Sequence, residues 1–467
     1  MSISKMKPIT LAQAADAMGG TLIGGDGTAV IESVIMDSRL DVTGALFVAI
    51  AGERADGHDF VPDVLSRGAV CCLVEREIPH ASGPQILVDS TLRAVRDLAG
   101  FYRRMFDIPF IGITGSVGKT STKDMLATTL SAKFRVHRTA GNFNNELGVP
   151  MTLLALRDEH EVAVIEMGIS DFGEMTRLTD MVRPHIAILT IIGYAHLDNL
   201  GDRSGVYKAK TEIFHGLQES GMALLNGDDD MLRICNVADI APGKTHTTRR
   251  LYGLEPHNNY RATNITSLGE AGTSCTFTWD DHTLDVTIPA FGTPFVYAAL
   301  ASTAVGDHLG MTPEEIKRGI AAFHTVQGRA NVIRTETLTI IDDCYNANPS
   351  SVKASVTSLT DLPGRRAAIL GDMKELGADS VALHREMGEH AANCGIDCII
   401  AIGEMSVHTY ESAKAKNPNL QVLYFSEKPA ALTALPDLLR RGDQVLVKAS
   451  RSGRFEEIVA ALKELTL

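Results

Sequence analysis

Gly112-Ile113-Thr114-Gly115-Ser116-Val117-Gly118-Lys119-Thr120 is the stretch on which the reading of this chain turns. An apolar run over 108–111 precedes it, and a segment with helical character over 121–133 follows. Strand, glycine loop and helix in that order form a phosphate cradle. The backbone N–H groups from Thr114 and Gly115 through Ser116, Val117 and Gly118 to Ser121 can wrap an anionic polyphosphate at a helix N-terminus. Lys119 adds a mobile positive charge, and the Thr120 hydroxyl suits an accompanying Mg²⁺. The spacing is shorter than the common nucleotide loop, in which four residues separate the first glycine from the Gly-Lys pair. Here Ile113 stands where that first glycine would be.

Outward from the loop, strands and helices alternate over 108–324, the pattern of a doubly wound sheet whose ligands sit at the carboxyl ends of its strands. Apolar runs over 163–166 and 186–191 read as two of those strands. Residues 251–288 alternate threonine with apolar side chains and read as a β-rich insertion. Before the loop, 45–50 and 70–74 read as strands, 61–67 as a helical turn and 92–105 as a helix. Beyond it, 338–341, 367–370, 398–402 and 444–447 read as strands of another α/β unit. The fold class expected is therefore α/β in three domains, over 1–106, 107–326 and 327–467. A length of 467 residues agrees with about three domains of ordinary size.

Composition narrows the function. A formal net charge of −13, with no dense basic run, argues against a nucleic-acid partner. The 45% apolar content contains no run long enough to span a bilayer, and the first twenty residues carry no apolar leader core. Seven scattered cysteines without metal-ligand spacing read as free thiols in a reducing compartment. The expectation is a cytoplasmic protein without membrane insertion.

Further groups follow the loop in order. Glu166 closes an apolar run and is followed by Met167-Gly168, a position that suits a hard cation beside phosphates. His196 lies in Ala195-His196-Leu197, and Lys210 in KAKTEIF over 208–214. With GNFNNELGVP over 141–150, DCYNANP over 343–349, GDMKELG over 371–377 and VKASR over 447–451, the chain resembles the Mur ligases over essentially its whole length. In the first domain, Asp37-Ser38-Arg39, GALFVAI over 44–50 and DGHDF over 56–60 belong to the same resemblance.

The resemblance implies an N-terminal substrate-binding domain, a central ATP-binding domain and a C-terminal Rossmann-like domain that closes on ATP. It implies ATP-driven amide formation through an acyl phosphate, adding D-alanyl-D-alanine to UDP-N-acetylmuramoyl-tripeptide. Sister readings are an amino-acid-adding Mur ligase, folylpolyglutamate synthase or a non-catalytic nucleotide-binding scaffold. By carry-over, Lys119 contacts the β- and γ-phosphates, while Thr120, Glu166, His196 and a carbamylated Lys210 hold two Mg²⁺ ions. Arg329 and Asp343 reach ATP from the third domain. Ser38 and Arg39 meet the uridine nucleotide, and Asn142, Asn144 and Asn145 line the adjacent channel. Tyr345, Asn346 and Asn348 receive the dipeptide. Each asparagine also suits a turn. The protein is expected to act as a monomer.

Two positions depart from the family pattern. Ile191 stands where an asparagine usually follows the threonine of its strand. Gly292-Thr293-Pro294-Phe295-Val296-Tyr297-Ala298 replaces a Gly-x-His-Asn-x-x-Asn pattern, which in the family lies near adenine and ribose. The family's polar nucleotide contacts are therefore not carried over to Pro294, Phe295 or Ala298. The expectation is a variant that holds adenine by apolar packing and backbone contacts, with weakened use of ATP as the alternative.

Overall fold

The structure is a computed structural model that describes residues 6–52 and 55–467. The leader reading of the first five residues lies outside the described residues. Three large sheets carry the three domains, beside a two-stranded antiparallel pair of Ile9–Thr10 with Val30–Ile31. The central one has nine strands in the order His282–Ile288, Thr273–Trp279, Tyr260–Ser267, Thr248–Gly253, Met222–Asn226, Ile186–Leu189, Phe110–Thr114, Val162–Glu166 and Val136–Arg138. All neighbours are parallel except the last hairpin, where Thr273–Trp279 runs antiparallel to both of its partners.

Residues 251–288 are therefore not an insertion beside the sheet. Thr248–Gly253 pairs in parallel with Met222–Asn226, and the following strands extend the same sheet. Their Thr-apolar alternation arises because each strand buries only one face: Thr273–Trp279 and His282–Ile288 point Cys275, Phe277, Trp279, Leu284, Val286 and Ile288 inward. The parallel strands at the centre of the sheet are instead covered on both sides. Ile186–Leu189 and Phe110–Thr114 are buried at every position.

Phe110–Thr114 has Val162–Glu166 on one side and Ile186–Leu189 on the other. The chain crosses to opposite sides of this strand, so the glycine loop opens at a topological switch point, where open α/β sheets form their crevice. The helix after the loop, Lys119–Leu130, starts two residues before the expected 121 and packs along Thr293–His308.

The N-terminal sheet orders Thr21–Ile23, Gln85–Leu87, Cys71–Val74, Ala45–Val48 and Ser33–Ile35, and the first pair is antiparallel. The C-terminal sheet orders Asn331–Arg334, Thr339–Asp342, Gln444–Lys448, Arg366–Gly371, Cys398–Ile402 and Gln421–Phe425, parallel but for its first strand. One apolar core runs from the N-terminal domain through one face of the central sheet and into the C-terminal domain. Tyr102 pins the first junction, its buried hydroxyl donating to the Leu156 carbonyl at 2.8 Å and accepting from the Lys7 N–H at 2.9 Å. The seven cysteines are unpaired. Among the described residues no helix is long and apolar enough to cross a membrane.

Candidate active site

A cavity of about 550 Å³ opens between the central and C-terminal domains. Its floor is the glycine loop. Gly115 and Gly118 have φ of 145° and 87°, conformations that side chains with a Cβ resist. At Gly115 space forbids one as well, since a Cβ would fall 1.9 Å from the Thr190 hydroxyl. That hydroxyl donates to the Val117 carbonyl at 2.6 Å. The Ser116 N–H donates to the Ile191 carbonyl at 2.8 Å, and the Gly193 N–H donates to the Ser116 hydroxyl at 2.9 Å. The Ile191 carbonyl thus braces the loop whatever side chain the residue carries, and the first sequence departure leaves this brace intact.

Lys119 curls back to donate to the Gly115 carbonyl at 2.7 Å. Burial lowers its pKa, and Arg329 does so further, against the pull of Glu166. Glu166, 1% exposed, ends its strand facing the loop. Its Oε1 accepts from Thr120 at 3.1 Å and from the Asn144 amide at 2.7 Å. Its Oε2 is buried without a hydrogen-bond donor, and the nearest cation, Lys123, stands 3.7 Å away. Leaving a buried carboxylate oxygen unsatisfied costs about 1–3 kcal/mol or more, so a cation at this point relieves a standing penalty. Among the described residues no three His, Cys, Asp or Glu side chains gather as a cage. The Glu166 carboxylate beside the Thr120 hydroxyl could still hold Mg²⁺, which keeps several waters and needs only one or two carboxylates beside phosphate oxygens.

Lys210 is fully buried on the helix Arg203–Thr211 behind this wall, and its Nζ has no hydrogen-bond partner. Burial drives its pKa well below the ordinary lysine value, and the charge of Lys119 pushes the same way against Glu174. His196 has φ of 55°, and its Nδ1 meets Glu375 Oε2 of the C-terminal domain at 2.6 Å. Glu375 is itself left-handed, at φ 61°, and its carbonyl accepts from the Leu197 N–H at 3.0 Å. Burial lowers the His196 pKa, against Glu375 and with Lys210 and Lys119.

From the C-terminal side, the Arg329 guanidinium stacks 3.9 Å from the Tyr345 ring centre, and its Nη2 reaches the Thr120 hydroxyl at 3.3 Å. Asp343 accepts from the Ala330 N–H at 3.2 Å, from the Ser355 hydroxyl at 2.6 Å and from Lys448 at 2.6 Å. Three of the asparagines use their side-chain oxygens locally. Asn145 accepts from the N–H groups of Leu147 and Gly148, Asn346 from Ala347, and Asn348 caps the helix Pro349–Leu359 through Ser351. All three residues still border the cavity.

The cavity thus gathers Ser116, Val117, Gly118, Lys119, Thr120, Ser121, Asn144, Asn145, Glu166, His196, Arg329, Asp343, Tyr345, Asn346 and Asn348. Ser38, Arg39 and Asn142 do not line it. Ser38 gives its carbonyl to Arg67, and the exposed Arg39 pairs with Asp37. Thr114, Gly115 and Lys210 lie behind the lining, and Ala298 is packed into its helix, 1% exposed. Sequence reasoning missed Lys448, Glu375 and Ser355. Lys448 ends a parallel strand and lies in the VKASR motif, and Glu375 lies in GDMKELG, signals that could have found both; Ser355 carried none.

Three family models match the chain: Mur ligase family, catalytic domain, over 30–103; Mur ligase middle domain over 113–306; and Mur ligase, glutamate ligase domain, over 328–451. The UDP-N-acetylmuramoyl-tripeptide–D-alanyl-D-alanine ligase of Escherichia coli (strain K12) is 38% identical over 466 residues, 98% of this chain and 99% of its own. The ligase of the same name from Bacillus subtilis (strain 168) is 36% identical over 443 residues, 94% of each chain. Among solved structures, MurF from Acinetobacter baumannii superposes with a TM-score of 0.90 at 32% identity, over 99% of this chain and 100% of that one. MurF ligase from Thermotoga maritima in complex with ADP superposes with 0.81 at 29% identity, over 92% and 97%.

Proposed function

The chain belongs to the Mur ligase family, and from that premise we propose the reaction it catalyses. It is an ATP-dependent ligase that adds D-alanyl-D-alanine to UDP-N-acetylmuramoyl-tripeptide, making the pentapeptide precursor for peptidoglycan. The observation that carries this reading is similarity along nearly the full length of both chains to two ligases of that name. The terminal carboxylate of the tripeptide takes the γ-phosphoryl group of ATP, giving an acyl phosphate and ADP. The dipeptide amine then attacks the acyl carbon, and phosphate leaves with the bonding electrons of the acyl–oxygen bond.

The division of labour in this reading is 1–106 for the UDP-substrate, 107–326 for ATP and 327–467 for closure and the dipeptide, in a monomeric cytoplasmic enzyme. The N–H groups of 114–121 bind the polyphosphate and Lys119 its β- and γ-oxygens. Arg329 adds positive charge from the closing domain, and Asp343, oriented by Lys448 and Ser355, faces the nucleotide. Ser38 and Arg39 hold the uridine nucleotide, with Asn142, Asn144 and Asn145 along the path of the peptide. Tyr345, Asn346 and Asn348 receive the dipeptide. Thr120 and Glu166, with His196 and a carbamylated Lys210, would hold Mg²⁺; the ions would supply the charge that lets a carboxylate approach a phosphate. A neutral Lys210 amine, favoured by its burial, is the form that reacts with CO₂.

Phosphate release from ATP, measured with UDP-muramoyl-tripeptide and with or without D-alanyl-D-alanine, tests the reading. Release that needs the dipeptide and yields pentapeptide is the expected result. Release supported instead by a free amino acid and a shorter acceptor would move the chain to a sister ligase.

A further inference from the structure

We infer that this ligase recognises the base of its nucleotide by apolar packing rather than by hydrogen bonds, so that other purine triphosphates replace ATP; the inference rests on the ATP-dependent reading above. The helix Pro349–Leu359 runs along the cavity and measures it. Its first turn stands at the phosphate loop: a side-chain carbon on Gly193 would lie 2.5 Å from the Ser350 hydroxyl, and Gly193 is bonded to Ser116. Its last turn stands at Gly292, where such a carbon would lie 2.6 Å from the Ser358 hydroxyl. From Ser350 to Ser358 is about 12 Å at ~1.5 Å per residue. A nucleotide with its phosphates at Lys119 therefore directs its base toward the Gly292 end.

Of the cavity's lining, Phe291, Pro294 and Phe295 flank Gly292 in the chain, Ala354 and Ser358 lie on the half of the helix toward it, and Ile341 adds a sixth side chain. None of the six side chains carries an amide, a carboxylate or a cation. Pro294 has no N–H, and the Phe295 N–H already donates to the Gly292 carbonyl at 3.1 Å. The neighbouring Ser355 hydroxyl is held by Asp343. Ser358 is the one polar side chain among the six, and a hydroxyl both donates and accepts, so it serves adenine and hypoxanthine alike. Phe295 is held from behind by Phe323, with ring centres 5.7 Å apart.

A site that hydrogen-bonds its substrate rejects an analogue lacking those groups by about 10⁴–10⁵, whereas an apolar pocket discriminates between near-isosteres by only about 10². The selectivity expected here is of the second kind.

The test is a nucleotide panel on the unaltered enzyme: kcat/KM for ATP, ITP and GTP in dipeptide-dependent ligation, beside calorimetric affinities for ADP, IDP and GDP. Values for ITP and GTP within about 100-fold of ATP, with diphosphate affinities in the same range, are expected. Phe295→Leu, which keeps the site apolar and removes the ring face, should weaken all three by a common factor of about 10, leaving their ratios unchanged. A preference for ATP over ITP of about 10⁴ or more, or a Phe295→Leu enzyme whose ratios change, would overturn the inference while leaving the ligase reading intact. Absence of ligation with every nucleotide would count against the ligase reading, and the diphosphate affinities would still decide how the base is recognised.

Discussion

Lys210 is the side chain whose surroundings most constrain its chemistry. A fully buried amine with no hydrogen-bond partner and Lys119 nearby favours the neutral form, and a neutral amine is a nucleophile. Lys210→Ala is expected to lower dipeptide-dependent turnover by at least about 100-fold, with partial recovery on adding formate or acetate to stand in for the carbamate oxygens. Full activity in the variant would remove Lys210 from the mechanism. At this scale the sequence was informative about residue types and less so about their use. Lys119, Thr120 and Glu166 were legible because loop spacing and strand-end position predict where they point. Asn145, Asn346 and Asn348 were not, because an asparagine amide serves a turn, a helix cap and a ligand equally well. Only the bonds to Gly148, Ala347 and Ser351 reveal that their oxygens are already engaged.

Elements of the central domain formed where periodicity said, with one exception of physical interest. A sheet strand exposed on one face carries the same alternation whether it belongs to a separate module or to the edge of a larger sheet. From sequence alone the 251–288 stretch therefore reads as an insertion, and pairing with Met222–Asn226 is visible only in three dimensions. At the opposite edge, His137 on Val136–Arg138 contacts the Thr152 carbonyl of the helix Gly148–Leu154 at 2.7 Å. Burial lowers its pKa to about 4, with His160 and Arg157 acting in the same direction. The unfolded chain, with a histidine pKa of about 6.5, takes up a proton that the folded chain refuses. Its contribution is complete above about pH 6.5 and is lost as the pH falls toward about 4. Urea midpoints at pH 7 and 4.5 should therefore drop less for His137→Gln than for the parent chain; an equal drop would assign the acid sensitivity elsewhere.

Across the whole molecule, the active site exists because the C-terminal domain rests on the central one. Arg329 touches Thr120, Glu375 holds His196 and Ser350 abuts Gly193. Arg329→Ala, which deletes the guanidinium facing the phosphate loop, is expected to lower kcat by about 100-fold or more while nucleotide affinity changes less. Normal turnover would show that closure does not depend on this contact. The left-handed backbones of His196 and Glu375 persist because two domains hold them from both sides, a strain that local sequence does not announce. The sequence by itself determined the three-domain α/β class and the phosphate loop, because these follow from short-range spacing and the burial period of single strands, and its motifs carried the resemblance to the family. Tertiary structure alone decided that Glu166 keeps a bare buried oxygen, that Lys448 and Glu375 brace the site, and that Phe291, Pro294 and Phe295 wall one end of the cavity. Those facts depend on contacts between distant segments, and a linear pattern carries no record of which surfaces meet.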